Sequence, residues 1–383
     1  MKLVIEMKAI VNGKIVTPQE VLSHKVLVFD RGKIIDICNE VPHGAEIIDA
    51  KGMIVAPGFV DVHIHGSMGY DVMDGTVTAV KAISAGIAKY GTTSFLPTTM
   101  TMGKALIYQS LEVIRGLQGE KMAGAQVLGA HLEGPFINTT YKGAQNATFV
   151  VAPDYEWIHD FSDVIKLVTY APEMDPHFEF TKKVKAETGI TLSIGHSNAT
   201  YKQALAAIDE GCSHVTHLFN GMPSLHHRDP GIVGAALTTD VFTELIADKV
   251  HVSEHLFQFV LDNKGVEHVV LITDSMRAGC MKAGTYDLGG QKAHVCEGVA
   301  RLSDGTLAGS VLTLNKAVNH FYEETNATLP EVFRCASLNP ATSINIDDHK
   351  GSLEIGKDAD IICLDEAFNC HLTIVCGEIV YKL

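Results

Sequence analysis

Over most of its length, the chain alternates short apolar runs with longer amphipathic stretches. The apolar runs have the length of β-strands, and eight of them lie at residues 58–65, 92–97, 126–133, 164–170, 190–196, 212–218, 242–248 and 268–274. Intervening stretches at 78–90, 178–188 and 201–210 have helical spacing, and glycines that can cap them follow at Gly91, Gly189 and Gly211. Strands that alternate with helices in this number predict a (β/α)8 barrel of the TIM type.

The two chain ends have a different pattern, in which short β-rich runs are separated by tight turns. Near the start, Asn12-Gly13 and Asp30-Arg31-Gly32 each separate two such runs, and Gly377 does so near the end. Glycine turns between β-rich runs predict hairpins. We therefore expect a small β-sandwich domain formed by residues 1–56 and 345–383, with the barrel at residues 57–344.

Composition limits the classes of function. The 383 residues are 46% hydrophobic and 20% charged, which is typical of a globular protein. A net charge of -15 argues against nucleic-acid and membrane partners, because both surfaces are anionic. The eight cysteines include no C-x-x-C pair, and Glu6 interrupts the apolar start too early for a signal-peptide core. These features predict a cytoplasmic protein with reduced thiols.

Candidate chemistry appears where the predicted strands end. His63 and His65 alternate with apolar residues, so both imidazoles lie on the same face at the end of the first barrel strand. An isolated H-x-H pair is more often structural, particularly in a chain with 19 histidines. However, four other strands also end in a residue of a type that binds metal ions, at Glu133, His196, His217 and Asp274.

Strand C-termini converge on one mouth of a barrel, so these side chains are expected in a single cavity. Four imidazoles and a carboxylate suit one or two divalent metal ions, with Glu133 able to bridge a pair. Such a metal lowers the pKa of bound water to about 7 and polarises a carbonyl oxygen, as amide hydrolysis requires. Asp274, on the last strand, is predicted to be the acid/base. His214 is interpreted as a packed strand residue.

Several motifs occur in order through the chain. They are PGFVDVHIHG at 57–66, HLEGPF at 131–136, GHS at 195–197, HLFNGM at 217–222, TD at 273–274, LAGS at 307–310, NPA at 339–341 and KDAD at 357–360. With these motifs the chain resembles the amidohydrolase superfamily and, within it, the deacetylases of amino-sugar phosphates.

The resemblance implies hydrolysis of N-acetylglucosamine 6-phosphate to glucosamine 6-phosphate and acetate, in amino-sugar catabolism. It implies that Glu133, His196 and His217 hold the principal metal, and that His63 and His65 can hold a second. Zinc is the first expectation for the metal, with iron, manganese and cobalt as alternatives. It also implies a homodimer, in which a loop of one subunit reaches the phosphate site of the other.

The resemblance also implies a set of substrate contacts: Ala144, Gln145, Asn220, Gly221, Arg228, His251, Leu307, Ala308 and Gly309. Arg228 offers a planar fork suited to phosphate, although a solvated pair with Asp229 is an equally good interpretation of the residues alone. Two positions depart from the family pattern, because Gln145 replaces a usual histidine and Lys249 replaces a usual glycine after Asp248. These departures leave the galactosamine epimer open as substrate.

Two other classes of function compete with this interpretation. The first is another amidohydrolase, such as a cyclic amidase or a deaminase. Cyclic amidases use a carboxylated lysine on the fourth strand, but here Lys166 lies near the start of that strand and not at the mouth of the barrel. A non-catalytic scaffold is the second, and it would be expected to lose ligands, whereas this chain retains each ionisable group that the mechanism needs.

Overall fold

The computed structural model describes residues 7–383. Residues 1–6, where Glu6 is predicted to interrupt the apolar start too early for a signal-peptide core, lie outside the described residues. No helix within residues 7–383 is both long and apolar enough to cross a membrane.

The secondary structure of the described residues follows in chain order. The strands β1 to β24 are Lys8–Val11, Lys14–Val16, Val21–Leu22, Val26–Asp30, Lys33–Cys38, Glu46–Asp49, Ile54–Pro57, Phe59–Ile64, Gly66–Ser67, Tyr70–Asp71, Thr92–Pro97, Gln126–Val127, Ala130–Glu133, Ile165–Tyr170, Thr191–Ile194, His214–Val215, Phe242–Ile246, Val269–Ile272, Gly284–Leu288, Gln291–Cys296, Val299–Leu302, Ile361–Leu364, Cys370–Val375 and Glu378–Lys382. The helices α1 to α9 are Val77–Ala88, Lys104–Leu117, Glu179–Glu187, Tyr201–Glu210, Gly231–Thr238, Phe257–Lys264, Leu314–Glu323, Leu329–Ala336 and Leu338–Ser343. Short 3-10 helices lie at Val72–Asp74, Thr139–Tyr141, Ala147–Phe149, Tyr155–Trp157, His159–Phe161, Pro172–Met174, Pro176–Phe178 and Glu254–Leu256.

The parallel strands form the predicted barrel. They lie in two sheets, with the orders β12-β11-β8 and β13-β14-β15-β16-β17-β18. Parallel bridges from Thr98 to His131 and from Ile64 to Ser275 connect the two sheets on both sides. The third barrel strand is divided into β12 and β13 at Gly129, where φ is +145°. Large apolar side chains of the strands and surrounding helices form one continuous core.

The predicted helices are confirmed, and one crossover differs from the others. Helices α1, α3 and α4 coincide with the expected segments within about two residues, a normal margin for helix ends. Gly211 caps α4, with its N–H donating to the carbonyl groups of Ala207 and Ile208. After β13 the chain runs through 3-10 turns before β14, and this irregular crossover lies beside the mouth of the barrel.

The two chain ends form the predicted small β-structure. One sheet has the order β5-β4-β1-β6 and the other has the order β24-β23-β22-β7-β2-β3. Strand β22 pairs antiparallel with β7, so the second sheet contains both ends of the chain. Apolar side chains of both sheets, including Leu27, Val55 and Ile374, share a separate core. These pairings support the proposed division into a barrel at 57–344 and a small domain from 1–56 and 345–383.

The prediction of a hairpin at Asn12-Gly13 is wrong, whereas the predictions of hairpins at Gly32 and Gly377 are confirmed. Strand β1 pairs with β4 and β6, but β2 pairs with β3 and β7 in the other sheet. The chain therefore crosses between the sheets at this turn. Gly13 is required by close approach, because a Cβ there would lie 2.4 Å from Cγ2 of Val55. The local turn signal cannot distinguish a hairpin from a crossing between sheets.

A small antiparallel sheet, absent from the sequence analysis, covers part of the barrel mouth. It has the order β19-β20-β21 and follows the last barrel strand. Its inner face buries Leu288, Ala293 and Leu302 against Met100 and Met276 from the barrel loops. This sheet and the loop after it form one wall of the cavity described below.

Candidate active site

The strand-end residues predicted from the sequence converge at the barrel mouth. His63 lies in β8, Glu133 ends β13, and His65 follows β8 directly. His196, His217 and Asp274 each lie two residues beyond the end of a barrel strand. All six of these side chains are buried, namely those of His63, His65, Glu133, His196, His217 and Asp274.

Glu133 is at the centre of this cluster. Its Oε1 lies 3.1 Å from His196 Nε2 and 3.2 Å from His217 Nε2. The same oxygen is 3.3 Å from His63 Nε2, and Oε2 is 3.3 Å from His65 Nε2. One carboxylate therefore contacts all four imidazoles through their Nε2 atoms.

The opposite nitrogen of each imidazole is held by an acceptor. His65 Nδ1 donates to the carbonyl of Thr98, at 3.2 Å. His196 Nδ1 donates to the carbonyl of Tyr141 at 2.8 Å, and His217 Nδ1 donates to that of Asn220 at 3.0 Å. A carbonyl oxygen can only accept, so these contacts place the proton on Nδ1 and leave Nε2 facing the cluster.

Three of these residues adopt a backbone conformation that non-glycine residues rarely use. The φ angles are +47° at His196, +29° at His217 and +48° at Asp274. Such conformations cost about 1–3 kcal/mol each and persist where the surrounding structure determines them. Here they turn the side chains inward just beyond the strands.

These donors fit divalent metal ions. His63, His65 and Glu133 present ligand atoms within 4.8 Å of one another, and so do Glu133, His196 and His217. Imidazole nitrogens with a shared carboxylate are the ligand set of zinc and related transition metals. The residues therefore suit two adjacent cation positions with Glu133 common to both.

The charges of the cluster are strongly coupled. Burial alone would raise the pKa of Asp274, but the nearby His63 and His65 have the larger, opposite effect, so the net pKa is lowered to about 2. Burial lowers the pKa of His65, but Asp274 and Glu133 raise it more, to about 10. Asp274 is thus an ionised carboxylate, 3.3 Å from His65 Nε2 and 3.6 Å from His63 Nε2.

A cavity of about 200 Å³ opens onto the cluster. Most of the substrate contacts implied by the resemblance line it, namely Ala144, Gln145, Asn220, Gly221, His251, Leu307 and Gly309. Ala308 is buried in the apolar cluster behind the wall. The cavity is also lined by four residues that were not predicted from the sequence, namely Met100, Gly143, Leu288 and Thr306.

Arg228 is not among the cavity-lining residues of the described chain. It is exposed in the loop between β16 and α5, and its NH1 lies 2.7 Å from His227 Nε2. An isolated bridge links His226 and Asp229 in the same loop. Within one chain, therefore, the structure does not bring this guanidinium to the cavity.

Gln145 is held by two contacts inside the protein. Its Nε2 donates to Glu133 Oε2 at 2.5 Å, and its Oε1 accepts from the N–H of Thr101 at 2.7 Å. The position that departs from the family pattern thus bonds directly to the central carboxylate. Its side chain is 3% exposed, so this contact is sheltered from water.

His251 and Asp248 form a pair beside the cavity. His251 Nδ1 donates to Asp248 Oδ2 at 2.7 Å, and Asp248 Oδ1 accepts from the N–H groups of Val250 and His251. Burial lowers the pKa of His251, but Asp248 raises it more, so the net shift is upward. Asp248 thus favours the protonated form of the His251 imidazole, which lines the cavity.

Two further groups are buried in the barrel, of which His214 was expected from the sequence and Glu244 was not. His214 is packed as expected: its Nδ1 lies 3.0 Å from Ser193 Oγ, and burial lowers its pKa to about 4. Glu244, in β17, was missed although its side chain is fully buried and 2.9 Å from His63 Nδ1. The sequence signal was a glutamate in the middle of a strand whose other residues are uncharged.

The chain was compared with known proteins. Residues 54–380 match the amidohydrolase family. The N-acetylglucosamine-6-phosphate deacetylase of Bacillus subtilis is 39% identical over 378 residues, covering 96% of this chain and 95% of that protein. An N-acetylgalactosamine-6-phosphate deacetylase of Escherichia coli O157:H7 is 34% identical over 343 residues, covering 88% of this chain and 90% of that protein.

Solved structures give the same result. The N-acetylglucosamine-6-phosphate deacetylase of Pasteurella multocida has a TM-score of 0.92 at 33% identity, covering 97% of this chain and 99% of that chain. A mutant of the Mycobacterium smegmatis enzyme in complex with N-acetyl-D-glucosamine-6-phosphate has a TM-score of 0.89 at 27% identity, covering 98% of this chain and 100% of that one.

Proposed function

The chain belongs to the amidohydrolase family, and we propose that it hydrolyses the acetamide bond of N-acetylglucosamine 6-phosphate, releasing acetate and glucosamine 6-phosphate. The observation that carries this proposal is the contact of Glu133 with four imidazoles beside the ionised Asp274, at the floor of one cavity. The relatives named for this reaction span nearly the whole chain. The reaction belongs to amino-sugar catabolism.

We assign the roles as follows. Glu133, His196 and His217 would hold the principal metal, and His63 and His65 would complete a second position with Glu133. When bound, a divalent metal lowers the pKa of water and polarises the amide carbonyl. Asp274 takes a proton from the attacking water and delivers it to the leaving nitrogen. Zinc is the proposed ion; iron, manganese and cobalt share its ligand preferences.

The cavity wall supports assignment of the sugar contacts. The imidazole of His251 can hydrogen-bond a polar group of the substrate, and Asn220 and Gly221 line the same cavity. A cyclic-amidase mechanism is disfavoured because its bridging lysine has no counterpart here. Lys166 lies at the second residue of β14, four residues before the end of that strand at Tyr170.

The exposed position of Arg228 supports a homodimer. We propose that this loop of one subunit reaches the phosphate of a substrate bound in the other, where a guanidinium can form a bidentate contact. Sedimentation should then give the mass of two chains. A fully active monomer would contradict the arrangement. The described cysteines are free thiols, which supports a reducing compartment, and we propose the cytoplasm.

The experiment that tests the function measures acetate release together with metal content. We expect release from N-acetylglucosamine 6-phosphate, loss of activity after chelation, and recovery on adding zinc. The unphosphorylated sugar should react at a much lower kcat/KM, because it lacks the anion that Arg228 is proposed to bind. No acetate release from the phosphosugar by metal-loaded protein would refute the proposal.

The galactosamine epimer is the second candidate substrate. It is favoured by the relative named N-acetylgalactosamine-6-phosphate deacetylase and by Gln145, which replaces a usual histidine at the cavity. Assaying both epimers with the same preparation separates the two candidates. We expect the glucosamine form to have the higher kcat/KM, and the opposite order would reassign the substrate.

The Asp248–His251 pair predicts a specific pH dependence. Because Asp248 raises the pKa of His251, the imidazole stays protonated to a higher pH and deprotonates as pH rises through its raised pKa. Replacing Asp248 with Asn removes that charge, so the basic limb of the kcat/KM profile should move to lower pH. Asp240→Asn changes an exposed aspartate just before β17, and it is the matched control. An unmoved limb in Asp248→Asn would show that His251 does not control it.

A further inference from the structure

Glu244 lies where a carboxylate is costly to bury. It occupies the middle of β17, between Thr243 and Leu245, and its side chain is 0% exposed inside the barrel. Transfer of an unpaired carboxylate out of water carries a large penalty unless good partners compensate it. Its side-chain hydrogen-bond partners come from other barrel strands, namely from His63 in β8 and from His217 just after β16.

Those partners belong to both halves of the metal cluster. Glu244 Oε2 accepts from His63 Nδ1 at 2.9 Å and from the peptide N–H of His217 at 3.0 Å. His63 belongs to one proposed cation position and His217 to the other. A single oxygen therefore contacts one ligand of each position.

The contact with His63 differs from those of the other ligands. His65, His196 and His217 direct Nδ1 to peptide carbonyls, whereas His63 directs Nδ1 to a carboxylate. A carboxylate acceptor fixes the tautomer and ring orientation of a ligand imidazole and makes its other nitrogen more basic. His63 Nε2 is thereby aimed at Glu133 Oε1, 3.3 Å away.

The contact with His217 acts through the backbone. His217 has φ of +29°, a conformation that needs support from its surroundings. The hydrogen bond from its N–H to Glu244 provides such support, and Leu218 N–H donates to the Glu244 carbonyl at 2.9 Å. The strand segment around Glu244 thus holds the turn that carries this ligand.

We propose that Glu244 is a positioning residue for the metal centre, which sets His63 for the second cation and couples that position to His217. The inference rests on the proposed metal-dependent function with two cation positions. It explains why a fully buried carboxylate is retained beneath the cluster. It touches neither substrate nor reacting atoms, so its effect should appear first in metal binding.

Cobalt titration of metal-free protein, followed by visible absorption and equilibrium dialysis, tests the proposal. The wild type should bind two equivalents per chain. In Glu244→Leu the second equivalent should bind about 10–100-fold more weakly, the usual effect of removing a partner of a ligand imidazole. Glu244→Gln keeps an acceptor oxygen without the charge, so its loss should be smaller. Excess cobalt should restore the kcat of Glu244→Gln towards the wild-type value, which a folding defect would not allow.

Thr243→Val is the matched control, because Thr243 is equally buried on the same strand but its hydroxyl donates to the Val241 carbonyl. It should bind both equivalents as the wild type does. Wild-type affinity for the second equivalent in Glu244→Leu would overturn the inference alone. If Glu244→Leu does not fold, wild-type affinity for the second equivalent in Glu244→Gln would overturn the inference. A wild type that binds one equivalent would overturn the two-cation proposal as well, whereas a deacetylation failure with normal titrations would affect only the proposed function.

Discussion

Replacing Asp274 with Asn should lower kcat by about 10³-fold while the protein keeps its metal. General acid–base groups typically contribute about 10²–10⁴-fold, and asparagine preserves the shape of the side chain without accepting a proton. Glu133, His196 and His217 remain in place, so the principal cation position is intact. KM should change little, because Asp274 is assigned to proton transfer and not to sugar binding. Steady-state kinetics and elemental analysis of one preparation measure both quantities.

The matched control is Asp209→Asn, an equivalent change on the exposed face of α4. It should have wild-type kcat and metal content. Two results would contradict the assigned role of Asp274. One is an unchanged kcat in Asp274→Asn, and the other is a loss of metal that accounts for the whole loss of activity.

Glu133→Gln should remove metal and activity together. Glu133 contacts the Nε2 atoms of all four imidazoles, so its charge would serve both of the proposed cation positions. A bound metal supplies several kcal/mol of transition-state stabilisation. At about 1.4 kcal/mol per tenfold, kcat/KM should therefore fall by roughly 10³- to 10⁴-fold. Elemental analysis after dialysis should find less than one metal per chain.

Contrast variants separate loss of a ligand from loss of the fold. Glu120→Gln, at an exposed site after α2, should retain both metal and activity. His63→Asn should lose only the second cation, because Glu133, His196 and His217 still form the first position. If Glu133→Gln retained a full complement of tightly bound metal, Glu133 would not be the shared ligand.

Much of the fold follows from local sequence patterns. Apolar runs of strand length alternate with amphipathic helices, and this alternation is a property of each segment by itself. The barrel strands and the helices α1, α3 and α4 were therefore predictable. The chemistry at the strand ends was also predictable, because parallel barrel strands bring their C-terminal ends to one mouth. The presence of His63, His65 and Glu133 in one site needed no coordinates.

Other features depend on contacts between distant parts of the chain. The turn at Asn12-Gly13 has a hairpin signal, but packing against Val55 takes the chain into the other sheet. The β19-β20-β21 sheet at the mouth follows the last barrel strand, where the barrel pattern gives no expectation. Arg228, placed in the site by resemblance, is exposed when one chain is considered alone.

The sequence by itself determined which ligand types stand at the ends of the barrel strands; only the tertiary structure decided how they are aimed. His196, His217 and Asp274 adopt positive φ, which remains uncommon for non-glycine residues although histidine and aspartate adopt it more often than most. The pairing of Glu244 with His63 joins residues 181 positions apart. Both features are unfavourable in isolation, one through backbone strain and the other through burial of charge. They persist because the closed barrel holds their partners at hydrogen-bonding distance.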